Sequence, residues 1–363
     1  MRIKTIDGFR TIAVLGVLWS HCWMFLGAPR LKCFNIDFGG LLSFFGTGVD
    51  LFFVISGFCM YLMYISKQNQ FSFSSYFNYI KKRFVRIAPA FYAAILIYGL
   101  VAASFSISNL NWSYSLISAA FIRTFFTVKT AFAPHFWSLA TEWHFYLLLP
   151  LLVVLSQRFG FKKMVFIVFL ASILFRLFFW FDKDDIFNIV NYSIPNRIIE
   201  FLFGIIIAKV YTENSKNWYF NSNLILLLGV IIAFIGRILM SASFQENTNI
   251  LGYMSRVFNL PLLTLGYAMI IINAINVSSI FSKILASKFM TFIGKYSYSM
   301  YLWHWIIAES VTGYFSDKFM INAFPMLLFC FILSVIILIP ISMLSYYLFE
   351  SFYFKKRHVP NLG

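Results

Sequence analysis

Charge is scarce in this chain: 12% of its 363 residues are Asp, Glu, Lys or Arg, and the acids are the rarer kind, 13 against 29 bases. A water-exposed globular domain carries roughly a quarter charged residues, so a soluble fold is excluded. Cysteine is scarce too. Cys22, Cys33, Cys59 and Cys330 stand at no metal or redox spacing, which excludes a disulfide scaffold and the common zinc patterns. Three of the four lie in apolar stretches and read as buried free thiols. No internal repeat is found. No small-residue cleavage site follows the first apolar run, so that run reads as a retained helix and not a signal peptide. No soluble domain is expected at either end. The expected division is a transmembrane domain over 1–350 and a short cytoplasmic tail over 351–363, of which His358 to Gly363 is too short to fold.

What is abundant is apolar surface: 61% hydrophobic residues and a mean hydropathy of +0.80. Ten stretches are long enough to span a bilayer as helices, near 7–27, 41–65, 86–106, 137–157, 162–181, 196–212, 222–240, 257–276, 293–313 and 322–349. The expected fold is therefore an all-α, polytopic membrane bundle of about ten helices. The stretch 112–127 is short and serine-rich, and reads as a re-entrant or surface helix, with an eleventh span as the alternative. Eighteen Lys and Arg residues fall in loops on one side and six on the other, so both termini are expected in the cytoplasm. The acidic residues Asp182, Asp184 and Asp185 then fall outside. The same loop clustering accounts for the net charge of +16 without nucleic acid as a partner.

Several polar residues interrupt these apolar runs, and ionisable groups inside a membrane segment mark function by default. In the first span, Arg10 and His21 lie eleven residues apart. Eleven steps of about 100° return to the same helix face, roughly 16 Å along the axis. The pair offers a fixed cation and a titratable imidazole at two depths; the alternative is an arginine that snorkels and a histidine at the interface. The second span opens with Gly46-Thr47-Gly48-Val49-Asp50, where Asp50 either caps the helix or orients His21 from a neighbouring helix. Arg83 and Arg86, three apart in the densest basic patch, project from one face. Two guanidinium forks there suit a phosphate or pyrophosphate, or else anchor the helix to anionic lipid. His135 and Glu142, two turns apart, share a face of the fourth span. His144 points elsewhere. Arg197 and Glu200 suit a pair with each other. Gly294 to Trp305 sets Ser297, Tyr301 and His304 on one late span, with His304 the only titratable group near its middle.

Together these stretches resemble the acyltransferase 3 family of integral-membrane O-acyltransferases. Arg10 and His21 match its first-helix motif, and Gly46 to Phe58 its F-F-x-x-S-G-F segment. Arg83-Phe84-Val85-Arg86 matches its R-x-x-R motif, His135 to Pro150 its W-S-L-x-x-E-x-x-F-Y-L-x-x-P segment, and Tyr296 to Trp305 its Y-S-x-Y-L-W-H-W segment. His144 stands where many members have a glutamine. Some relatives carry a C-terminal hydrolase-like domain; this sequence resembles the stand-alone members. The resemblance implies transfer of an acetyl group from cytoplasmic acetyl-CoA to a sugar hydroxyl of an O-antigen, capsule or exopolysaccharide, in a bacterial inner membrane. The partners implied are acetyl-CoA as acyl donor, a glycan or lipid-linked glycan acceptor, and membrane lipid, with no metal and no permanently bound cofactor.

On that resemblance, His21, Arg10 and Glu142 are the expected catalytic residues. Arg83 and Arg86 would bind the phosphates of CoA, and Asp50, His135, His304, Tyr301 and Ser297 would support the substrate. A neutral imidazole takes the proton of an attacking hydroxyl and returns it to a leaving thiolate; His21 is expected to act as this base, the alternative being a transient acyl carrier. Arg10 would hold the pantetheine end or stabilise the oxyanion. Glu142 would orient a histidine or the acceptor. Arg83 and Arg86 lie toward one membrane face and His21 toward the other, which calls for a cavity reaching His21 from the cytoplasm. Rival readings are a transporter of an acyl group or glycan lipid, a membrane sensor or scaffold, and a transferase of another acyl group such as succinyl.

Overall fold

A computed structural model of the chain describes residues 3–28, 32–33, 36–37, 43–67, 72–104, 112–125, 133–179, 187–213, 223–241, 249–316 and 323–355. The described chain is helical almost throughout. The long helices are α1 (Lys4–Phe25), α2 (Gly48–Met63), α3 (Phe73–Ser104), α5 (Trp137–Phe159), α6 (Phe161–Phe178), α8 (Ile194–Glu213), α9 (Asn223–Leu239), α10 (Ile250–Asn276), α12 (Lys288–Ser316) and α13 (Ala323–Ser345). Each coincides with one of the ten apolar stretches. Short helices α4 (Trp112–Ala119), α7 (Phe187–Tyr192), α11 (Ile280–Leu285) and α14 (Ser351–Lys355) complete the set. Among the described residues the only strands are β1 (Lys32–Cys33) and β2 (Ile36–Asp37), which pair antiparallel with Lys32 opposite Asp37.

Five of the described helices are long and apolar enough to cross a membrane by length and composition. Several of the others carry charged residues along their length, as α1 carries Asp7 and Arg10 and α8 carries Arg197 and Glu200. The outward surface is the reverse of a soluble protein's: Leu96, Phe166, Leu227 and Ile336 are exposed, while Glu200, His304 and Thr264 are fully buried. The protein is a multi-pass membrane helical bundle. Proline lies inside α3, α5, α10 and α13 (Pro89, Pro150, Pro261, Pro340), a placement membrane helices tolerate because neighbours satisfy the freed backbone groups. Local chemistry sets several boundaries. Gly160, at φ 83°, separates α5 from α6, a conformation that glycine adopts without penalty. Asn249 caps α10 by accepting from Leu251 N and Gly252 N. Ser279 and Ser282 form a capping box at α11.

The stretch 112–127 contains α4 followed by a turn and a single 3-10 turn at Arg123–Phe125; positions 126 and 127 lie outside the described residues. At eight residues α4 is too short to span, so the eleventh-span alternative falls away. The cluster Asp182, Asp184, Asp185 and most of the tail lie outside the described residues, while 351–355, assigned to the tail, are the helix α14. A π-helical turn at Tyr346–Glu350 precedes it and turns Glu350 inward, where it accepts a hydrogen bond from Ser299.

Helix α2 lies at the centre. Gly57 faces the Phe201 carbonyl and Gly204 faces the Val54 carbonyl, and a Cβ at either would overlap that oxygen. This reciprocal contact lets the backbones of α2 and α8 approach closely, as small residues do in membrane bundles. It brings Asp50 within 2.7 Å of Arg197, which also binds Glu200 at 2.9 Å. The Arg197–Glu200 pair is as expected, but Asp50 takes up neither role open to it. It does not cap α2, and its carboxylate turns to Arg197 instead of His21. One buried cation with two carboxylates ties α8 to α2, because an unpaired charge would be costly there.

Candidate active site

The residues singled out by sequence gather around two cavities. The first is lined by Arg10 from α1, Ser56 and Cys59 from α2, Arg83 and Arg86 from α3, Glu142 and Tyr146 from α5, and Ser297 and Tyr301 from α12. Arg83 is buried, with its guanidinium against the faces of Tyr79 at 5.3 Å and Tyr146 at 5.7 Å and an Nη2 contact to Met63 Sδ at 3.2 Å. Aromatic faces stabilise a guanidinium but leave its in-plane N–H groups available. Arg10 donates to Asp7 at 2.8 Å and to Cys59 Sγ at 3.3 Å. Glu142 accepts from Ser56 at 2.8 Å and from Tyr146. Three arginines therefore face a narrow space of about 110 Å³ that holds one carboxylate. The Arg83–Arg86 spacing delivers both to the same cavity, as their shared face predicts.

The second cavity, of about 350 Å³, is lined by His21 and Ser20 from α1, Arg123, His135 and Trp137, Tyr192, and Tyr301 and Trp305 from α12. Its walls are aromatic. Trp137 stacks on Tyr192 at 4.4 Å and takes the Arg197 guanidinium at 4.9 Å on its ring. Trp305 lies parallel to His135 and edge-on to His21. Stacked indole and phenol rings with a few polar groups suit a partly apolar, hydroxyl-rich ligand.

His21 is paired with His304. His304 is fully buried, and its Nδ1–H donates to the Tyr301 carbonyl at 2.6 Å. In the neutral ring that bond leaves the lone pair on Nε2, 3.0 Å from His21 Nδ1. His21 therefore donates from Nδ1 and keeps its own lone pair on Nε2. This tautomer assignment follows from the hydrogen-bond network. His135 is buried as well; its Nε2 lies 3.3 Å from the Leu302 carbonyl, and its Nδ1 makes no hydrogen bond among the described residues. A buried acceptor without a partner at a cavity wall is a place for a ligand hydroxyl.

The two cavities meet at Val49 and Tyr301, which line both. Tyr301 is held there by Ser138 Oγ at 2.6 Å and by its own bond to the His135 carbonyl at 3.0 Å. Several sequence expectations are revised by this layout. Arg10 and His21 share a face of α1 but open into different cavities, roughly 16 Å apart by the helical rise. Arg10 lines the first cavity and does not reach the second, where His21 lies. Glu142 contacts a serine and a tyrosine and orients no histidine. His135 and Glu142, on one face two turns apart, also divide between the cavities. Sequence reasoning gave no role to Ser56, Ser138, Tyr146 and Trp305, although each stands inside one of the matched segments, and it passed over Arg123, which donates to the Ala133 carbonyl at 3.0 Å; Ser56 and Ser138 meet partners on other helices, which spacing along the chain does not show. It also missed Arg176, whose guanidinium bonds Val257 O, Asn196 and Asn259 across three helices. His144 faces Thr124 at 3.4 Å and lies outside both cavities.

Comparison with known proteins gives a consistent likeness. A family profile described as "Acyltransferase domain" matches residues 3–343. The "O-acetyltransferase OatA" of Staphylococcus aureus (strain NCTC 8325 / PS 47) is 30% identical over 336 residues, covering 85% of this chain and 51% of the relative. A "Putative O-acetyltransferase SACOL0978" of Staphylococcus aureus (strain COL) is 27% identical over 344 residues, 87% of this chain and 52% of the relative. The chain thus spans about half the length of the curated relatives it matches. No solved structure matches.

Proposed function

The chain belongs to the acyltransferase 3 family, and from that premise we propose that it moves an acetyl group from acetyl-CoA, entering from the cytoplasm, to a sugar hydroxyl of a bacterial cell-surface polysaccharide on the far side of the membrane. The observation that carries this reading is the pair of cavities that abut at Val49 and Tyr301, one lined by arginines and the other by His21 and aromatic rings. The printed names of the relatives support acetyl as the group moved. The loop-charge bias supports a cytoplasmic position for both termini and for the end of the bundle that carries Arg83 and Arg86.

In this reading Arg83, Arg86 and Arg10 hold the donor, with charge complementarity to its phosphates at the entrance and to its polar arm within. The thioester reaches the boundary at Val49 and Tyr301. The acceptor sugar stacks among Trp137, Tyr192 and Trp305, and the His135 Nδ1 lone pair accepts from one of its hydroxyls. His21 Nε2 takes the proton of the reacting hydroxyl as its oxygen bonds to the thioester carbonyl carbon. The carbon–sulfur bond breaks, and His21 returns that proton to the departing thiolate. The positive charge on His21 during the step is stabilised through Nδ1–H by the neutral His304 Nε2. Ser297 lines the donor cavity and is assigned to donor binding. Asp50, tied to Arg197 behind Trp137, is assigned to positioning the acceptor wall.

The test is release of CoA thiol and acetylation of an acceptor oligosaccharide, followed by NMR of O-acetyl signals, with purified full-length chain in liposomes. Wild type is expected to couple the two, and His21→Ala to lose acetyl transfer. Equal transfer by His21→Ala, or no consumption of acetyl-CoA by wild type, overturns the reading.

A further inference from the structure

Arg123 stands in the wall of the second cavity, the one that also carries His21, and it is buried. It comes from the single 3-10 turn Arg123–Phe125 and not from a spanning helix. Among the described residues no carboxylate lines this cavity. The guanidinium donates from Nη1 to the Ala133 carbonyl at 3.0 Å and lies near Tyr192 and Tyr301 of the same wall. A neutral donor would serve that carbonyl as well, and a buried cation costs far more to desolvate. The backbone around it is strained. Phe121 and Ala133 both adopt left-handed conformations, at φ 58° and 48°, which residues with a side chain take only where their surroundings hold them there. Phe121 is held by its ring, between Phe91 at 4.8 Å and Trp143 at 5.2 Å. Ala133 turns its carbonyl to Arg123 and leads directly into the 3-10 turn Pro134–Phe136, which carries His135. Strain of this kind clusters where a side chain is presented to a ligand. His135, in the same wall and 3% exposed, has a buried Nδ1 that makes no hydrogen bond among the described residues. A cation and an open acceptor therefore face one space.

We propose that Arg123 determines specificity by selecting an acceptor that carries negative charge: its guanidinium binds an anionic oxygen group, carboxylate or phosphate, beside the sugar whose hydroxyls face His21 and His135. The proposal rests on the transferase reading above for the reaction, but not for the binding itself. A guanidinium fork matches either oxyanion, while the aromatic rings hold the sugar. A neutral glycan would strip water from the cation and return no charge to it, and that unfavourable exchange discriminates against it.

The probes are an oligosaccharide ending in a uronic acid, its methyl ester, and a matching neutral oligosaccharide bearing a terminal phosphate. Each is bound to the purified full-length chain in detergent and measured by calorimetry. Wild type is expected to bind at least one anionic probe about 10- to 100-fold more tightly than the ester, the effect of one charge-assisted contact in a buried site. Tighter binding of the uronic acid identifies an acidic sugar as the source of the charge, and tighter binding of the phosphate identifies a phosphate linkage. Arg123→Gln, which can still donate to the Ala133 carbonyl, should lose the preference, and Arg123→Lys should keep part of it. Turnover adds a second reading: the ratio of kcat/KM between the preferred anionic acceptor and the ester should fall toward one in Arg123→Gln, with the change carried by KM. The ester comparison in wild type needs no variant, so it decides even where Arg123→Gln does not fold. No binding of any probe by wild type, equal affinity for all three, or a preference that Arg123→Gln leaves intact overturns the proposal. Charge preference that depends on Arg123 in a protein that transfers no acetyl group would uphold the binding role and overturn the transferase reading; acetyl transfer without charge preference would do the reverse.

Discussion

Replacing His304 is the most informative perturbation, because the residue touches neither proposed substrate and acts only through His21. In the resting protein, His21 Nδ1–H donates to His304 Nε2 at 3.0 Å. A neutral bond of this kind contributes about 1 kcal/mol net. When His21 takes up a proton the same bond becomes charge-assisted, worth about 1.5–3 kcal/mol. Only the increase between ground and transition state accelerates the reaction, so His304→Ala should cost about 0.5–2 kcal/mol of transition-state stabilisation. At 1.36 kcal/mol per factor of ten, kcat should fall about 2- to 30-fold with KM for both substrates nearly unchanged. His21→Ala should fall by about 10² to 10⁴. His304→Gln, whose amide oxygen can accept from Nδ1–H, should recover much of the loss. The assay is CoA thiol release coupled to acceptor acetylation in liposomes, with monodispersity checked by chromatography, since His304 is fully buried. Unchanged kcat in a monodisperse His304→Ala protein would refute the reasoning. So would a His304→Gln protein as impaired as His304→Ala, with KM raised in both, since that pattern reports lost packing.

Three further outcomes follow from the geometry. Arg197→Leu strands two buried carboxylates, Asp50 and Glu200, and should destabilise the protein by about 3–5 kcal/mol; thermal unfolding in detergent should show a lowered midpoint, partly restored when Asp50→Asn and Glu200→Gln are added. Gly204→Val drives a side chain into the Val54 carbonyl, whereas the Cβ position of Gly313 is open, so the first should abolish the monodisperse species on fluorescence chromatography and Gly313→Ala should leave it unchanged. Val49→Phe fills the place where the two cavities meet; acetyl transfer should fall about 100-fold through misplacement of the reacting groups, while the KM for acetyl-CoA stays near the wild-type value.

The helices were legible in the sequence because an apolar run of about twenty residues in a membrane has one low-energy conformation, the one that satisfies its own backbone. The described part of each of the ten apolar stretches is helical, five of them in helices long and apolar enough to cross a membrane, and helical periodicity alone places Arg83 with Arg86. The β1–β2 pair was not legible, since two residues per strand leave no alternation to read. Periodicity put Arg10 with His21 and His135 with Glu142 on shared faces but could not show that the cavity boundary at Val49 and Tyr301 falls between the members of each pair.

What the sequence determined by itself is the class of fold, the residues too costly to bury without a purpose, and a family resemblance that the comparisons bear out. What only the tertiary structure decided is which of those residues meet. His21 finds His304 across 283 residues, and Asp50 finds Arg197 across 147. Neighbouring helices in a membrane are chosen by backbone fit, as at Gly57 and Gly204, and by the demand that every buried charge and imidazole find a partner. Both conditions concern pairs of surfaces, and a single chain read in order presents each surface without its mate.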